Sequence, residues 1–148
     1  MSSKTRWPSQ ASTNEVVEVP MSWEFAGAAD LTRTPMVVDG IDQSAGIQGV
    51  YVVRIQRVGV GLYNIELADS FPWLLGESLK VGTPLADAAA PFTVKATTDQ
   101  ANYQTPPTST TGPFVRIQVF DTANALADPP AGHTLWGSLV FRNRRVGS

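Results

Sequence analysis

The sequence predicts an all-β protein, a single β-sandwich or β-barrel domain at residues 15–148 with an extended N-terminal arm at residues 1–14. Two observations predict this class. About eight or nine short apolar runs separated by turn residues alternate with a period of two, and no stretch has the length and period of a long helix. Since 43% of the 148 residues are hydrophobic, the chain can also bury a core of useful size.

The clearest element is a β-hairpin formed by residues 50–58 and 62–67. Both runs alternate apolar and polar residues, and the Gly59-Val60-Gly61 turn between them supplies the positive φ angles that a short loop needs. We expect Val53 and Ile55 to share one face of the first strand. A hairpin alone is marginal in water, so the other runs must cover its apolar face.

The run before the hairpin, residues 15–25, has apolar side chains at every odd position from 17 to 25. Pro20 interrupts it, and proline cannot donate a hydrogen bond to a neighbouring strand. We therefore expect an edge strand, or two short strands that meet at a kink. A further short run at residues 35–38 ends in the strong turn pair Asp39-Gly40.

Residues 69–76 depart from the alternation and predict one short helical turn. Asp69 can cap such a turn and Gly76 can end it. Its apolar side chains are expected to close one open end of the sandwich or barrel, because apolar clusters are usually core rather than a cofactor slot. These side chains are Phe71, Trp73 and Leu74.

The rest of the chain predicts strands at residues 78–81, 92–97, 114–121 and 133–143. Apolar residues on both faces of the last run indicate a central strand, or one that another subunit also covers. The segment at residues 98–113 is the longest stretch with little predicted order, and we expect it to be mobile or engaged in contacts.

Few residues could carry catalysis, and we expect no enzyme, no cofactor and no metal site. The chain has no cysteine and a single histidine, His133, so thiolate or imidazole metal sites and the usual nucleophilic triads lack their parts. Two carboxylates from distant strands could still meet, as in glycoside hydrolysis. Glu66, Asp69 and Asp121 are the nearest candidates, and turn caps or solvent-facing positions are their simpler interpretation.

The charge pattern argues against nucleic acid and membranes as partners. The net charge is -2, with 11 basic and 13 acidic residues, and the one basic cluster, at residues 142–145, is typical of a solvated tail. No apolar run approaches the ~20 residues of a membrane helix. The first 15 residues contain no apolar segment, so we expect no signal peptide and synthesis in a cytoplasm.

Three aromatic residues are predicted to contact neighbouring subunits: Trp7, Trp23 and Phe25. Tryptophan is a favoured anchor of protein interfaces. Trp7 stands alone in a polar arm, where the alternative is a local contact with its own domain.

Two stretches resemble small structural proteins of tailed bacteriophages. They are RVGVGLYNIELADSFPWLLG at residues 57–76, and residues 114–146, in which FVRIQVFDTANALADPPAG leads to a closing strand that ends in Arg142-Asn143. The resemblance implies a virion component, with a capsid decoration (cement) protein as the first expectation. It further implies a homotrimer on the major capsid protein at the outer surface of the head, with no catalytic residues to transfer.

Two other hypotheses stay open at this point. A tail, baseplate or head-fibre module could bind host-surface glycans through exposed Trp and Tyr side chains. A small hydrolase could use carboxylates from different strands.

Overall fold

A computed structural model describes residues 16–33, 37–42, 52–97, 99–108, 110 and 112–142. The structure is about 50% strand and 7% helix, which confirms the all-β class. The strands are β1 Val16–Glu24, β2 Thr32–Arg33, β3 Val37–Val38, β4 Ile41–Asp42, β5 Val52–Gly59, β6 Leu62–Leu67, β7 Trp73–Glu77, β8 Lys80–Gly82, β9 Thr93–Ala96, β10 Phe114–Phe120 and β11 Thr134–Arg142. A 3-10 turn covers Leu85–Asp87 and the α-helix α1 covers Gln100–Gln104. The predicted arm, Trp7 included, lies outside the described residues.

The strands form two main antiparallel sheets. Sheet 1 has the order β2-β1-β11-β7, with β8 also pairing with β11, and sheet 2 has the order β5-β6-β10-β9. Strands β3 and β4 form a small separate pair around Asp39 and Gly40, whose φ angles of 52° and 81° are those of the predicted tight turn. The pairings of the described residues leave both main sheets open rather than closed into a barrel.

One hydrophobic core lies between the two sheets, as in a β-sandwich. Strands of sheet 1 contribute Val19, Leu135, Leu139 and Phe141, and strands of sheet 2 contribute Ile55, Tyr63, Ile65 and Ile117, all of them fully buried. Strand β10 lies within the predicted strand at residues 114–121, and its alternate residues Val115, Ile117 and Val119 are buried.

The predicted hairpin is confirmed as β5 and β6, but its first strand is not regular. The register between the strands shifts between Val52 and Arg54, so Val53 is an extra residue that opposes no partner. This bulge turns Val53 outward, 58% exposed, while Val52 and Ile55 are both fully buried. The predicted shared face of Val53 and Ile55 was therefore wrong, because alternation does not continue through a bulge.

Strand β1 is one continuous strand that pairs with β11 along its whole length. On its other side, β2 pairs only with Trp23 and Glu24, so Pro20 lies on an open edge as far as the described residues show. The carbonyl of Ser138, the residue opposite Pro20, accepts from the amide of Ser78 at 2.9 Å and so faces away from β1. Pro20 therefore sits where no hydrogen bond to β11 is needed, as the edge-strand prediction requires.

The predicted helical turn at residues 69–76 was wrong, because residues from Trp73 onward form strand β7 and pair with β11. Phe71 does reach the core, where its ring stacks on Phe141 with 4.4 Å between centroids. Trp73 instead lies on the outside and is 40% exposed. Pairing with a central strand satisfies more backbone groups than an isolated turn could.

A helix appears where little order was predicted. Asp99 caps α1 by accepting from the amide of Ala101 at 3.0 Å. Tyr103 is buried against Phe141, with 5.7 Å between ring centroids, and its carbonyl accepts from the amide of Phe71. The part of the segment at residues 98–113 that forms α1 thus belongs to the folded domain.

The last strand, β11, is central, as predicted, with β1 on one side and β7 and β8 on the other. β11 passes very close to Ser78, which lies in the chain between β7 and β8. A Cβ atom at Gly137, where φ is +128°, would lie 2.1 Å from the carbonyl oxygen of Ser78. Only glycine fits this position.

Candidate functional site

The outer face of sheet 1 carries large apolar side chains that the fold leaves uncovered. Trp73, Leu75 and Trp136 are 40%, 50% and 48% exposed, and we call these three residues the aromatic face. Trp136 points outward because Leu135 on the same strand is buried and side chains alternate along a strand. Leu75 points outward like Trp73, since Leu74 between them packs against the core and side chains alternate along a strand.

The aromatic face extends along β11. Trp136 stands opposite Lys80 on β8 and Ser22 on β1, whereas Trp73 stands opposite Arg142 at the far end of the same strand. Six residues separate the two ends, which corresponds to roughly 20 Å along a strand. The face is therefore long enough for an extended peptide or a flat protein surface.

A short chain of hydroxyls crosses the same side of the sheet between the strands. The hydroxyl of Ser138 donates to Glu18 Oε2 at 3.0 Å. Because Ser138 has only one hydroxyl proton, the hydroxyl of Ser78, 3.2 Å away, is the donor to Ser138. These bonds hold the carboxylate of Glu18 at the β1 border of the aromatic face.

The outer face of sheet 2 differs, because its long side chains pair with one another. Arg54 forms a salt bridge with Glu66, with 2.8 Å between Nη2 and Oε2, and Arg116 donates to Asn64. The ammonium group of Lys95 lies over the ring of Phe120, 5.6 Å from its centroid. Cross-strand polar pairs of this kind are typical of a sheet surface that faces solvent.

A shallow groove of about 270 Å³ lies beside the segment at residues 98–113. Its lining is mixed, with apolar Val53, Leu67, Pro107 and Pro113 beside Thr110 and one acidic residue, Glu66. Since Glu66 is already paired with Arg54, the groove offers a surface for contact rather than a reactive group.

The most connected polar group in the described part of the chain is Asp128, which sequence reasoning did not single out. Its carboxylate accepts from Arg57 Nε and Nη2 at 3.0 and 2.7 Å, from the amide of Gly61 at 2.9 Å and from the hydroxyl of Tyr63 at 3.0 Å. One signal was available: a tyrosine at an inward strand position needs a partner for its hydroxyl.

The same contacts set the electrostatics of this cluster. Burial alone would raise the pKa of Asp128, but the hydrogen bonds from Arg57, Gly61 and Tyr63 outweigh it and lower the pKa below 3.8. Burial and the hydrogen bond to Asp128 raise the pKa of Tyr63, and the hydrogen bond to Asp128 raises the pKa of Arg57. The cluster is a fixed ion pair that ties the hairpin turn to the loop before β11.

His133 is buried, with 2% of its surface exposed, and its contacts are those of a residue that supports the fold. Its Nδ1 lies 3.1 Å from the carbonyl oxygen of Pro130, so this nitrogen carries the proton and donates it. The ring of Phe92 meets the imidazole edge-on, with 5.1 Å between centroids. Within the described residues Nε2 has no hydrogen-bond partner.

The other residues singled out in the sequence lie apart. Trp23 and Phe25 are 6% and 1% exposed in the core, so they offer a neighbour little surface, and we do not include them in a contact surface. Glu66 pairs with Arg54, and Asp121 caps its own turn by accepting from the amides of Ala123 and Ala125.

Glu66 and Asp121, two of the three candidate acids, are not brought together as a pair. Glu66 stands opposite Phe114 at the start of β10, and Asp121 follows the end of that strand, seven residues and roughly 23 Å away. Asp69 is exposed on the Glu66 side. The separation between Glu66 and Asp121 exceeds what either mechanism of glycoside hydrolysis uses.

Comparison of the chain with family models, with curated proteins and with solved structures finds no match. Within the described ranges, no group of three or more His, Asp or Glu side chains could hold a metal ion. Among the helices of those ranges, none is both long and apolar enough to cross a membrane.

Proposed function

We propose that this protein is a non-enzymatic virion structural protein of a tailed bacteriophage, and specifically a capsid decoration (cement) protein. It would bind the major capsid protein on the outer shell and stabilise the head. The observation that carries the proposal is the aromatic face, three large half-exposed apolar side chains on one side of a chain with only 16% charged residues. Large exposed apolar side chains collected on one face of a sheet favour a protein contact there.

The two outer faces of the sandwich suit different contacts, one with water and the other with protein. The outer face of sheet 2 satisfies its charges internally and suits contact with water. The aromatic face and the groove beside residues 98–113 offer apolar area to a neighbour and to the shell. A trimeric ring in which every copy presents the same surface to the next would close about a three-fold axis.

Binding to shells tests this proposal directly. We expect the protein to co-sediment with empty shells of its phage that lack it, and Trp136→Gln to reduce occupancy at limiting concentration. Val58→Gln, which changes an exposed apolar side chain on the other sheet and outside the groove, is the matched control and should bind normally. Full binding by Trp136→Gln would contradict the role of the aromatic face.

Two further results bear on assembly. Deleting residues 1–14 should abolish retention on shells, and full occupancy without the arm would count against an arm that ties neighbours together. Light scattering coupled to size exclusion should give the mass of a trimer, and a monomer at all concentrations would weigh against the proposal.

A second candidate function is glycan binding by a tail, baseplate or head-fibre module. The two half-exposed indoles of Trp73 and Trp136 favour it, because such rings stack on sugar faces. Binding of the isolated protein to a glycan array, lost in Trp136→Ala and accompanied by no affinity for shells, would support this function over decoration.

A further inference from the structure

We propose that the aromatic face is the receptor for residues 1–15 of a second copy of this chain, with Trp7 as the anchoring side chain. The inference rests on the proposed function, since it names what ties neighbouring decoration subunits together. It applies to the oligomer in solution and needs no shell.

The point at which the first strand begins places this segment near such a face. Val16, the first residue of β1, pairs with Arg142, and Arg142 pairs with Trp73. β1 runs from this end of the sheet towards Trp136. A segment that prolonged the direction of β1 beyond Val16 would therefore lead past the Trp73 end and away from its own sheet.

The length of the segment suits an exchange between copies. Fifteen residues span up to roughly 50 Å when extended, well beyond the roughly 20 Å of the aromatic face. Docking on the chain's own face would spend several of those residues on a reversal, whereas docking on the next subunit needs none.

The chemistry of the segment matches the face. Trp7 is its one aromatic residue, and indoles pack well against the exposed indoles of Trp73 and Trp136. Lys4 and Arg6 stand beside Trp7 in the sequence. Glu18 and Glu24 occupy outward positions of β1 and can pair with them, while Lys80 lies on the far side of β11 and Arg142 at its Trp73 end.

An exchange of this kind joins two different surfaces, the segment of one copy and the face of the next. Such heterologous contacts close into a ring when the rotation permits. Because the exchange joins two different surfaces, either of two substitutions should break the same junction. Trp7→Ala damages the segment and leaves the face intact, and Trp136→Gln does the reverse.

The test is a mixing experiment on the purified full chain, with mass measured by light scattering or sedimentation. Each variant alone should be monomeric at concentrations where the unmodified chain is oligomeric, with association weakened about 30-fold or more, as for a hot-spot residue. An equimolar mixture should form a one-to-one heterodimer, because the intact segment of Trp136→Gln can occupy the intact face of Trp7→Ala. Gln10→Ala and Val58→Gln are the matched controls and should remain oligomeric.

Three results would overturn the inference: a monomeric unmodified chain, oligomers unaffected by Trp7→Ala, or a mixture that stays monomeric. The first would also result if the segment covered its own face. Failure of the proposed function looks different, because the heterodimer would form as expected while the unmodified oligomer bound no shells.

Discussion

Asp128 shows how one side chain joins distant parts of this fold. It follows β10 in the chain, yet it holds Arg57 and Tyr63 of the hairpin and the amide of its turn residue Gly61. The turn itself is close to that loop, since a Cβ at Gly61 would lie 2.7 Å from the amide nitrogen of Ala127. The ion pair and the tight approach therefore depend on each other.

Replacing Asp128 should measure the strength of this link. We expect Asp128→Ala to lower the free energy of unfolding by about 2–4 kcal/mol, because it leaves partly buried donors without an acceptor. Asp128→Asn keeps the shape and one acceptor oxygen and should cost less. Urea denaturation followed by tryptophan fluorescence gives both values, and equal stability of all three proteins would contradict the role of Asp128.

The lowered pKa of Asp128 also predicts a pH dependence. A carboxyl group whose pKa is lower in the folded state stabilises the fold fully above its ordinary pKa of 3.8. That contribution is lost as the pH falls through the lowered folded-state value. The unfolding free energy of the unmodified protein should therefore fall more steeply below about pH 4 than that of Asp128→Asn. Parallel curves for the two proteins would show that another group controls acid unfolding.

For individual residues, the sequence predicted a role correctly where that role depends on residues nearby in the chain. Asp121 as a turn cap needs only the next few amides, and periodicity alone marked the inward positions of β6 and β10. Asp128 and Trp23 depend on partners many residues away. No local pattern distinguishes a loop aspartate from a buried ion pair, or a core tryptophan from an interface one.

Among the elements, β11 is the most constrained, since it carries neighbours on both sides. Gly137→Ala should destabilise the protein by about 3 kcal/mol, because the new methyl group would collide with the Ser78 carbonyl at a backbone angle that alanine avoids. Gly76→Ala, on the adjacent strand, is the matched control, because its Cβ would meet nothing within 4 Å. Thermal unfolding of the two variants side by side checks the difference, and equal melting temperatures would contradict it.

Elements with a clear period and a turn at each end were predictable, and those fixed by sheet pairing were not. The hairpin and β10 needed only local pattern, whereas β7 forms because β11 offers backbone partners to residues that could otherwise begin a helical turn. The helix α1 is five residues long, too short to be stable alone, and depends on Tyr103 packing against the core.

For the whole molecule, the shared core predicts that both sheets unfold together. The three described tryptophans, Trp23, Trp73 and Trp136, all belong to sheet 1, so their fluorescence reports on that sheet. Ile117→Ala lies in sheet 2 and should still lower the midpoint reported by tryptophan, at a cost of about 2–5 kcal/mol. Leu139→Ala, in sheet 1, is the comparison. An unchanged tryptophan midpoint in Ile117→Ala would mean that the sheets unfold separately.

The molecule is also asymmetric, with paired charges on one outer face and half-exposed indoles on the other. Composition gave a hint of this, since few charged residues cannot cover the whole surface. Which strands bring the two indoles to the same face depends on the strand order, which cannot be read from the chain alone.

Pro20 affects how readily copies of this protein can polymerise through the free edge of β1. An open strand edge with a full row of amide donors is a template on which further chains can add, and growth of that kind leads to fibres. Because proline interrupts the row in the middle of β1, this border resists such polymerisation when many copies are concentrated together. Any contact between copies at this border would then depend on side chains, whose shapes can select a single arrangement.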